Sequence, residues 1–404
     1  MAEKIVIVGG GIAAVNAIKA IREVDNKSEI HLFGNESFYP YHRIRLTKGL
    51  FESMMEDKIR IQKIDWYTAN NVSVYLGAEV IGINTTESKI ILKDNISVSY
   101  TKLLLASGAR NFVPPINGIN KDGVYSIRQL EDVHNIQKDL EGKDTILNIG
   151  GGIQGLETVW ILNQQGKKVK VAEVQERLMP RQLDEKASDI LKKAIESFNI
   201  EVLLNTQISE ILGESQVSGA TTNGGNTLKC DMVIVSVGIR PNVEFVKDSP
   251  IEVSKGIVVN DKMETNLKNI YAAGDIAELN GKIAGTWPSA VEQGKTAGYN
   301  IAGKETKYTE AIPTTTLNAF NISLFSVGNV DAKQCTETLT YDDTDENSYK
   351  RLFIKDGKIV GAILIGDTKK SMALKSVIER KADFSSVAYA SMSFSDYIDS
   401  LKNN

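Results

Sequence analysis

With 404 residues, 47 Lys and Arg against 51 Asp and Glu, and a formal net charge of −4, the chain has an ordinary globular composition and enough length for about two to four compact units. The charge argues against nucleic acid as a partner, because displacing counterions from phosphates needs a cationic surface. No apolar run approaches the roughly 20 residues of a membrane span. The start, Met1 to Lys4 followed by Ile5-Val6-Ile7-Val8, is too short and strand-like for a secretory leader, so a mature chain beginning here in the cytoplasm is expected. The two cysteines, Cys230 and Cys335, stand far apart with no Cys-x-x-Cys, which argues against a thioredoxin-type pair or disulfide scaffolding. No metal site is expected.

In chain order, Lys4–Val8 reads as a strand, Gly9-Gly10-Gly11 as a turn, Ala13–Val24 as a helix and Glu29–Phe33 as a second strand. The stretch FYPYHRIRLTKGL, Phe38 to Leu50, then concentrates cations ahead of a predicted helix. KLLLASGARNFVPPINGI is an apolar strand running into Gly108 and Pro114-Pro115, as where a chain leaves a domain, and the boundary is set near Val113. The opening grammar then returns, with a strand at Ile146–Ile149, Gly150-Gly151-Gly152, a helix over Gln154–Gln165 closed by Gly166, and a strand at Val169–Glu173. DMVIVSVGIRPN, a buried-type strand ending in Gly238 and Pro241, is the return crossing. After about Ile312 the pattern alternates, Asp356-Gly357 marks a hairpin, and a helix is predicted from about Lys369 to Lys381. The fold class expected is α/β, with two Rossmann-like domains and a small α+β C-terminal domain.

Gly9-x-Gly11-x-x-Ala14 and Gly150-x-Gly152-x-x-Gly155 each lie between strand and helix, the context a dinucleotide fingerprint needs. The first glycine makes the tight turn and the second lets pyrophosphate reach the backbone. The third position, Gly or Ala, lets helix and strand pack closely. Ile12, Ala13 and Ala14 open the first helix, and Ile153, Gln154 and Gly155 the second. An acid about 20 residues on should meet the adenosine ribose. Glu173 closes the second copy's strand, while in the first copy Asn35 and the slightly displaced Glu36 stand there. A carboxylate at Glu173 accepts a 2′-OH and repels a 2′-phosphate, which predicts NADH over NADPH. Lys167, Lys168 and Lys170 lie near enough to soften that preference.

Together with YAAGDIAEL (Tyr271–Leu279), Ala106-Ser107-Gly108 and VGIRPN, these motifs resemble the pyridine nucleotide–disulfide oxidoreductase superfamily of flavoproteins over roughly residues 1 to 310. The resemblance implies FAD held by two separated segments and NADH by the insertion between them; with the boundaries read from the sequence these are 1–113 and 241–311 for FAD and 114–240 for NADH, followed by the C-terminal domain at 312–404. It puts Gly274 and Asp275 at the ribityl chain and pyrophosphate of FAD, and marks Gly238 of VGIRPN as a cofactor-site residue. Pro40-Tyr41-His42-Arg43-Ile44-Arg45-Leu46-Thr47-Lys48 is similar to the loop of the branch holding rubredoxin and ferredoxin reductases and the flavin portion of NADH-dependent nitrite reductases. That likeness implies Arg43 and Lys48 at the flavin, Arg128 at FAD, Val80 near the adenine, Trp287 beside the isoalloxazine and Glu157 at the nicotinamide. The chain departs from many members at Ile44, where they have Pro, and at Asn35, where they have an acid.

Cations near the isoalloxazine would stabilise its anionic reduced form, the task expected of Arg43, Arg45 and Lys48. Relatives that use a redox cysteine carry it around the position of Tyr41, so electrons should leave reduced FAD directly. The resulting expectation is an FAD-dependent NADH reductase feeding a small acidic carrier such as rubredoxin. Its basic docking face would be Lys369, Lys370, Lys375, Arg380 and Lys381, opposed mainly by Glu379. A peroxide-forming NADH oxidase and a redox-sensing, partner-binding flavoprotein are the alternatives. The chain is expected to be a monomer or homodimer.

Overall fold

Continuous β-branched runs such as Ile5-Val6-Ile7-Val8 suit strands covered on both faces, as parallel sheets require. The computed structural model, which describes residues 3–341, 348–382 and 392–400, has two of these sheets. One compact unit comprises Met1–Phe112, Arg128–His134 and Gly238–Ala311; the other comprises Val113–Ile127, Asn135–Val237 and the residues from Ile312 on.

In the first unit, Ile270–Ala272, Lys102–Leu105, Lys4–Val8, Glu29–Phe33 and Val72–Tyr75 pair in that order, all parallel. Ile5, Ile7, Leu103 and Leu104 are fully buried, each worth roughly 1.5–3 kcal/mol of transfer free energy. The helix predicted over Ala13–Val24 spans Ile12–Arg22 and packs on Trp287–Ile301. That contact depends on glycine. A Cβ on Gly294 would lie 2.2 Å from the Ala13 carbonyl oxygen, and one on Gly298 would lie 2.4 Å from that of Ala17. The departing and returning segments pair with each other as antiparallel strands, Ala109–Asn111 with Ile239–Pro241. Asn242 Nδ2 closes that pair by donating to the Ser107 carbonyl at 2.9 Å.

The second unit repeats the plan with Glu201–Leu203, Lys168–Ala172, Thr145–Ile149, Met232–Val235 and Val124–Tyr125, again all parallel. Its Gly-rich turn leads into the helix Ile153–Gln164, after which Gly166 adopts a left-handed φ of +76°. The C-terminal region forms a five-stranded antiparallel sheet, ordered Thr314–Ala319, Ile322–Gly328, Lys358–Ile365, Tyr349–Lys355 and Glu337–Tyr341, packed against the helix Ser371–Glu379. Asp356 and Gly357, at φ +50° and +71°, make the predicted hairpin turn. A cap not read from the sequence ties this sheet down: Asp184 caps the helix Glu185–Glu196 and also accepts from Tyr349 Oη at 2.7 Å and Arg351 Nη1 at 2.9 Å.

Among the described residues no helix is long and apolar enough to cross a membrane, and no group of three or more His, Cys, Asp or Glu could hold a metal ion.

Candidate functional site

Each Gly-rich turn is built by one steric demand. Gly9 sits at φ +114°, and a Cβ there would lie 2.2 Å from the Ala106 carbonyl oxygen. Gly150, at φ +113°, would meet the Ser236 carbonyl oxygen at 2.4 Å. The next strand's end therefore presses on the turn, and only glycine admits it. Gly11 and Gly152, the helix N-caps, face the opposite situation: a Cβ on either meets nothing within 4 Å. Neither cap makes a side-chain hydrogen bond and neither helix has an acid in its first turn, so the N-terminal N–H groups are left for an anion. This is the fit a dinucleotide pyrophosphate needs, and it occurs once in each unit. At the third position, Gly155 comes within 2.4 Å of the Gly150 carbonyl oxygen, measured from an added Cβ, whereas Ala14 is accommodated.

In the first unit the structure brings Glu36, Arg43, Arg128 and Asp275 together around Tyr41. Arg43 pairs with Glu36, donates to Tyr41 Oη at 2.9 Å and donates to the Arg128 carbonyl at 2.9 Å. Tyr41 Oη donates to Glu36 at 2.6 Å and accepts the Leu130 N–H at 2.9 Å. Arg128 Nη2 reaches Asp275 at 2.6 Å, and its Nε reaches the Ala109 carbonyl at 2.9 Å. Burial opposes the charge on Arg43, yet Glu36 and Tyr41 hold it above its ordinary value; burial also drives the Tyr41 hydroxyl upward. Gln293, buried on the long helix, accepts the Gly274 N–H at 2.8 Å and fixes the Asp275 turn. The backbone bonds Gly77 N to Glu36 O and Ala78 N to Gly34 O bring the start of the Val80–Asn84 strand near exposed Asn35.

Other expected groups stand apart from this cluster. Lys48 is exposed on a separate turn, Lys48–Phe51, and Arg45 is exposed and donates to the Lys58 carbonyl at 3.1 Å. After Leu50 the helical segments are short, Glu56–Ile59 and then Ile64–Ala69. Half-buried Trp287 opens its helix and stacks on His42, ring centroids 5.5 Å apart.

In the second unit, Glu173 is buried and accepts the Gly151 N–H at 2.6 Å and the Gln175 N–H at 2.8 Å, so it braces the turn it was expected to serve as a ribose acceptor. Asn148, a buried polar side chain that sequence reading missed, donates to the Gly150 carbonyl at 2.7 Å. Gln154 turns its amide to the Ile127 carbonyl at 2.7 Å, and Glu157 is half-buried one turn further on. Lys167 is bonded to the Leu140 and Lys143 carbonyls and Lys170 to Glu201, which leaves only Lys168 exposed of the three. The basic run near the C-terminus is more neutralised than its sequence implies, because Asp399 takes Lys370 at 2.6 Å and Glu379 lies 3.7 Å from Lys375.

A double-wound chain with two such turns defines a class, and comparison agrees: the pyridine nucleotide-disulphide oxidoreductase family matches residues 3–294, so the chain belongs to it. The rubredoxin NAD+ reductase C-terminal domain family matches residues 313–382. The chain is 33% identical over 392 residues to a nitrite reductase [NAD(P)H] of Bacillus subtilis, covering 96% of this chain but only 49% of that relative, so it spans about half of it. It is 31% identical over 385 residues to the NADH-rubredoxin oxidoreductase of Clostridium acetobutylicum, covering 95% and 97% of the two chains. The crystal structure of NADH:rubredoxin oxidoreductase from that organism superposes with a TM-score of 0.84 at 30% identity, over 99% of this chain and 100% of the other.

Proposed function

We propose that the chain is an FAD-dependent NADH reductase of the cytoplasm that passes electrons to a rubredoxin- or iron–sulfur-type protein without a redox-active cysteine. The observation that carries this reading is the pair of uncapped helix N-termini behind Gly11 and Gly152, one in each parallel sheet. In the first unit Gly9, Gly11, Arg128 and Asp275 would hold FAD, with Val80 at the adenine and Trp287 at the ring. In the second, Gly150, Gly152 and Glu173 would hold NADH, with Glu157 at the nicotinamide. Bound FAD supplies the chemistry, accepting hydride from NADH and giving up two electrons singly. NADH and two oxidised one-electron carriers thus yield NAD+, one proton and two reduced carriers. Arg43 is already paired with Glu36, so Lys48 and Arg45 would be the cations to offset negative charge on the reduced ring.

Direct electron exit is supported by the thiols. Burial pushes the Cys230 thiol up to about 12, and burial followed by Asp331 raises Cys335. A chain carrying Cys230→Ala and Cys335→Ser should keep NADH turnover within about twofold, since neither thiolate is needed; a loss of carrier reduction with flavin still bound would contradict this. The purified chain should also be yellow, with one FAD per chain released by acid. Recovery of FMN, or no flavin after reconstitution, would sink the reading. Fast peroxide release in air with no protein acceptor reduced would move it to an oxidase.

A further inference from the structure

The basic stretch around Arg45 belongs to a lobe that closes on itself. His42 N donates to the Ile59 carbonyl and Ile61 N to the Pro40 carbonyl, both at 2.9 Å, so residues 43–58 leave and re-enter the unit at one point. Leu46, Leu50, Met54 and Ile59 are buried, and Met54 packs where a side chain on Gly49 would stand. Compact loops of this kind, packed by their own side chains, are frequently functional. Despite that interior, Ile44 is 59% exposed, Met55 53% and Phe51 38%. Three of the twelve large apolar side chains that the described residues leave exposed thus lie on one short lobe, which marks it as a contact surface.

Its charges favour an acidic partner. Arg45, Lys48 and Lys58 are exposed, and Arg45 also donates to the Lys58 backbone carbonyl. The exposed acids are Glu52 and Asp57, while Glu56 is taken by Arg60 at 3.0 Å and by the Tyr39 N–H at 3.2 Å. Adjacent His42 is held below its ordinary value mainly by burial, with Arg45 and Lys19 adding to the shift.

We propose that the lobe 43–58 is the docking surface for a small acidic electron-carrier protein, with Ile44, Phe51 and Met55 as its apolar centre and Arg45, Lys48 and Lys58 as its cationic rim. The proposal rests on the reductase reading, and Arg43 at the base of the lobe, bonded to Tyr41 and Glu36, gives it continuity with the cluster around Tyr41. It moves docking away from the C-terminal basic run, where Asp399 takes Lys370 and Glu379 lies 3.7 Å from Lys375.

The test is rubredoxin reduction by the holoenzyme, followed by loss of ferric rubredoxin colour, beside NADH turnover with a neutral quinone. Ile44→Glu combined with Met55→Glu should lower the second-order rate for rubredoxin about tenfold or more and leave quinone turnover unchanged. Lys58→Glu should slow rubredoxin alone and flatten the several-fold fall expected for the unmodified chain between about 0.01 and 0.15 M salt. Equal rubredoxin rates in all variants would overturn the proposal, as would slowing by Lys370→Glu with Lys375→Glu in their place. A dimer that dissociates in the Ile44→Glu, Met55→Glu chain with carrier kinetics intact would assign the lobe to a second copy, again overturning it. An unmodified chain that turns over quinone but never rubredoxin would defeat the reductase reading itself, and the docking proposal with it.

Discussion

Glu173→Ala should lower kcat/KM for NADH by about 10- to 100-fold and narrow the gap between NADH and NADPH, a larger loss than a single ribose hydrogen bond would cause. The reason is its double employment. Its carboxylate takes the Gly151 and Gln175 N–H groups while buried, and an orphaned buried donor costs about 1–3 kcal/mol. Removing the acid therefore loosens the turn that must receive pyrophosphate and also removes the repulsion of a 2′-phosphate. Glu173→Gln separates the two effects, because its amide oxygen retains one acceptor while the charge is lost. It should keep more NADH activity than the Ala variant and still discriminate poorly. The unmodified chain should prefer NADH at least about tenfold, about 1.4 kcal/mol. Lys167 and Lys170 are committed to other partners and do not offset that preference. Steady-state kinetics with both cofactors at matched salt would decide, and equal efficiency with NADPH in the unmodified chain would refute the assignment.

The two Gly-rich turns were legible in the sequence because their constraint is local: strand, left-handed glycine and helix follow one another within a dozen residues. The hairpin at Asp356-Gly357 was legible for the same reason. What escaped was set by tertiary closure. Asn148 and Gln293 look like polar interruptions of a strand and a helix until the backbone groups they satisfy, at Gly150 and Gly274, are folded against them. Gly294 and Gly298 carry no local turn signal, since their need arises only where another helix presses on them. The charge run from Arg43 to Lys48 suggested three cations with one task, but folding divides them: Arg43 turns inward to Glu36 while Arg45 and Lys48 face solvent. Likewise, the C-terminal lysines looked opposed mainly by Glu379 because Asp399, which takes Lys370, lies 29 residues further along the chain.

Arg43→Ala should destabilise the first unit by about 3 kcal/mol and weaken FAD retention more than any exposed cation change, because it leaves a largely buried carboxylate without its charge partner. The side chains of Arg43 and Glu36 are only 25% and 13% exposed, well below the setting in which ion pairs contribute little. The guanidinium also joins Tyr41 and the Arg128 carbonyl, and Arg128 in turn holds Asp275, so its removal should be felt at three separated segments. Arg43→Lys should recover only part of the loss, since one ammonium cannot reproduce the fork that reaches both Glu36 and the two neighbouring oxygens. Glu36→Gln in the Arg43→Ala background should restore stability relative to Arg43→Ala alone, because the uncompensated charge is then gone. A coupling of about 1–3 kcal/mol in that double-mutant cycle is the signature of a working pair. Urea unfolding of the apoprotein measures the stability arm and equilibrium FAD titration the binding arm. A change within about 0.5 kcal/mol, typical of a surface substitution, would show that Arg43 is a bystander and that Tyr41 alone carries the junction.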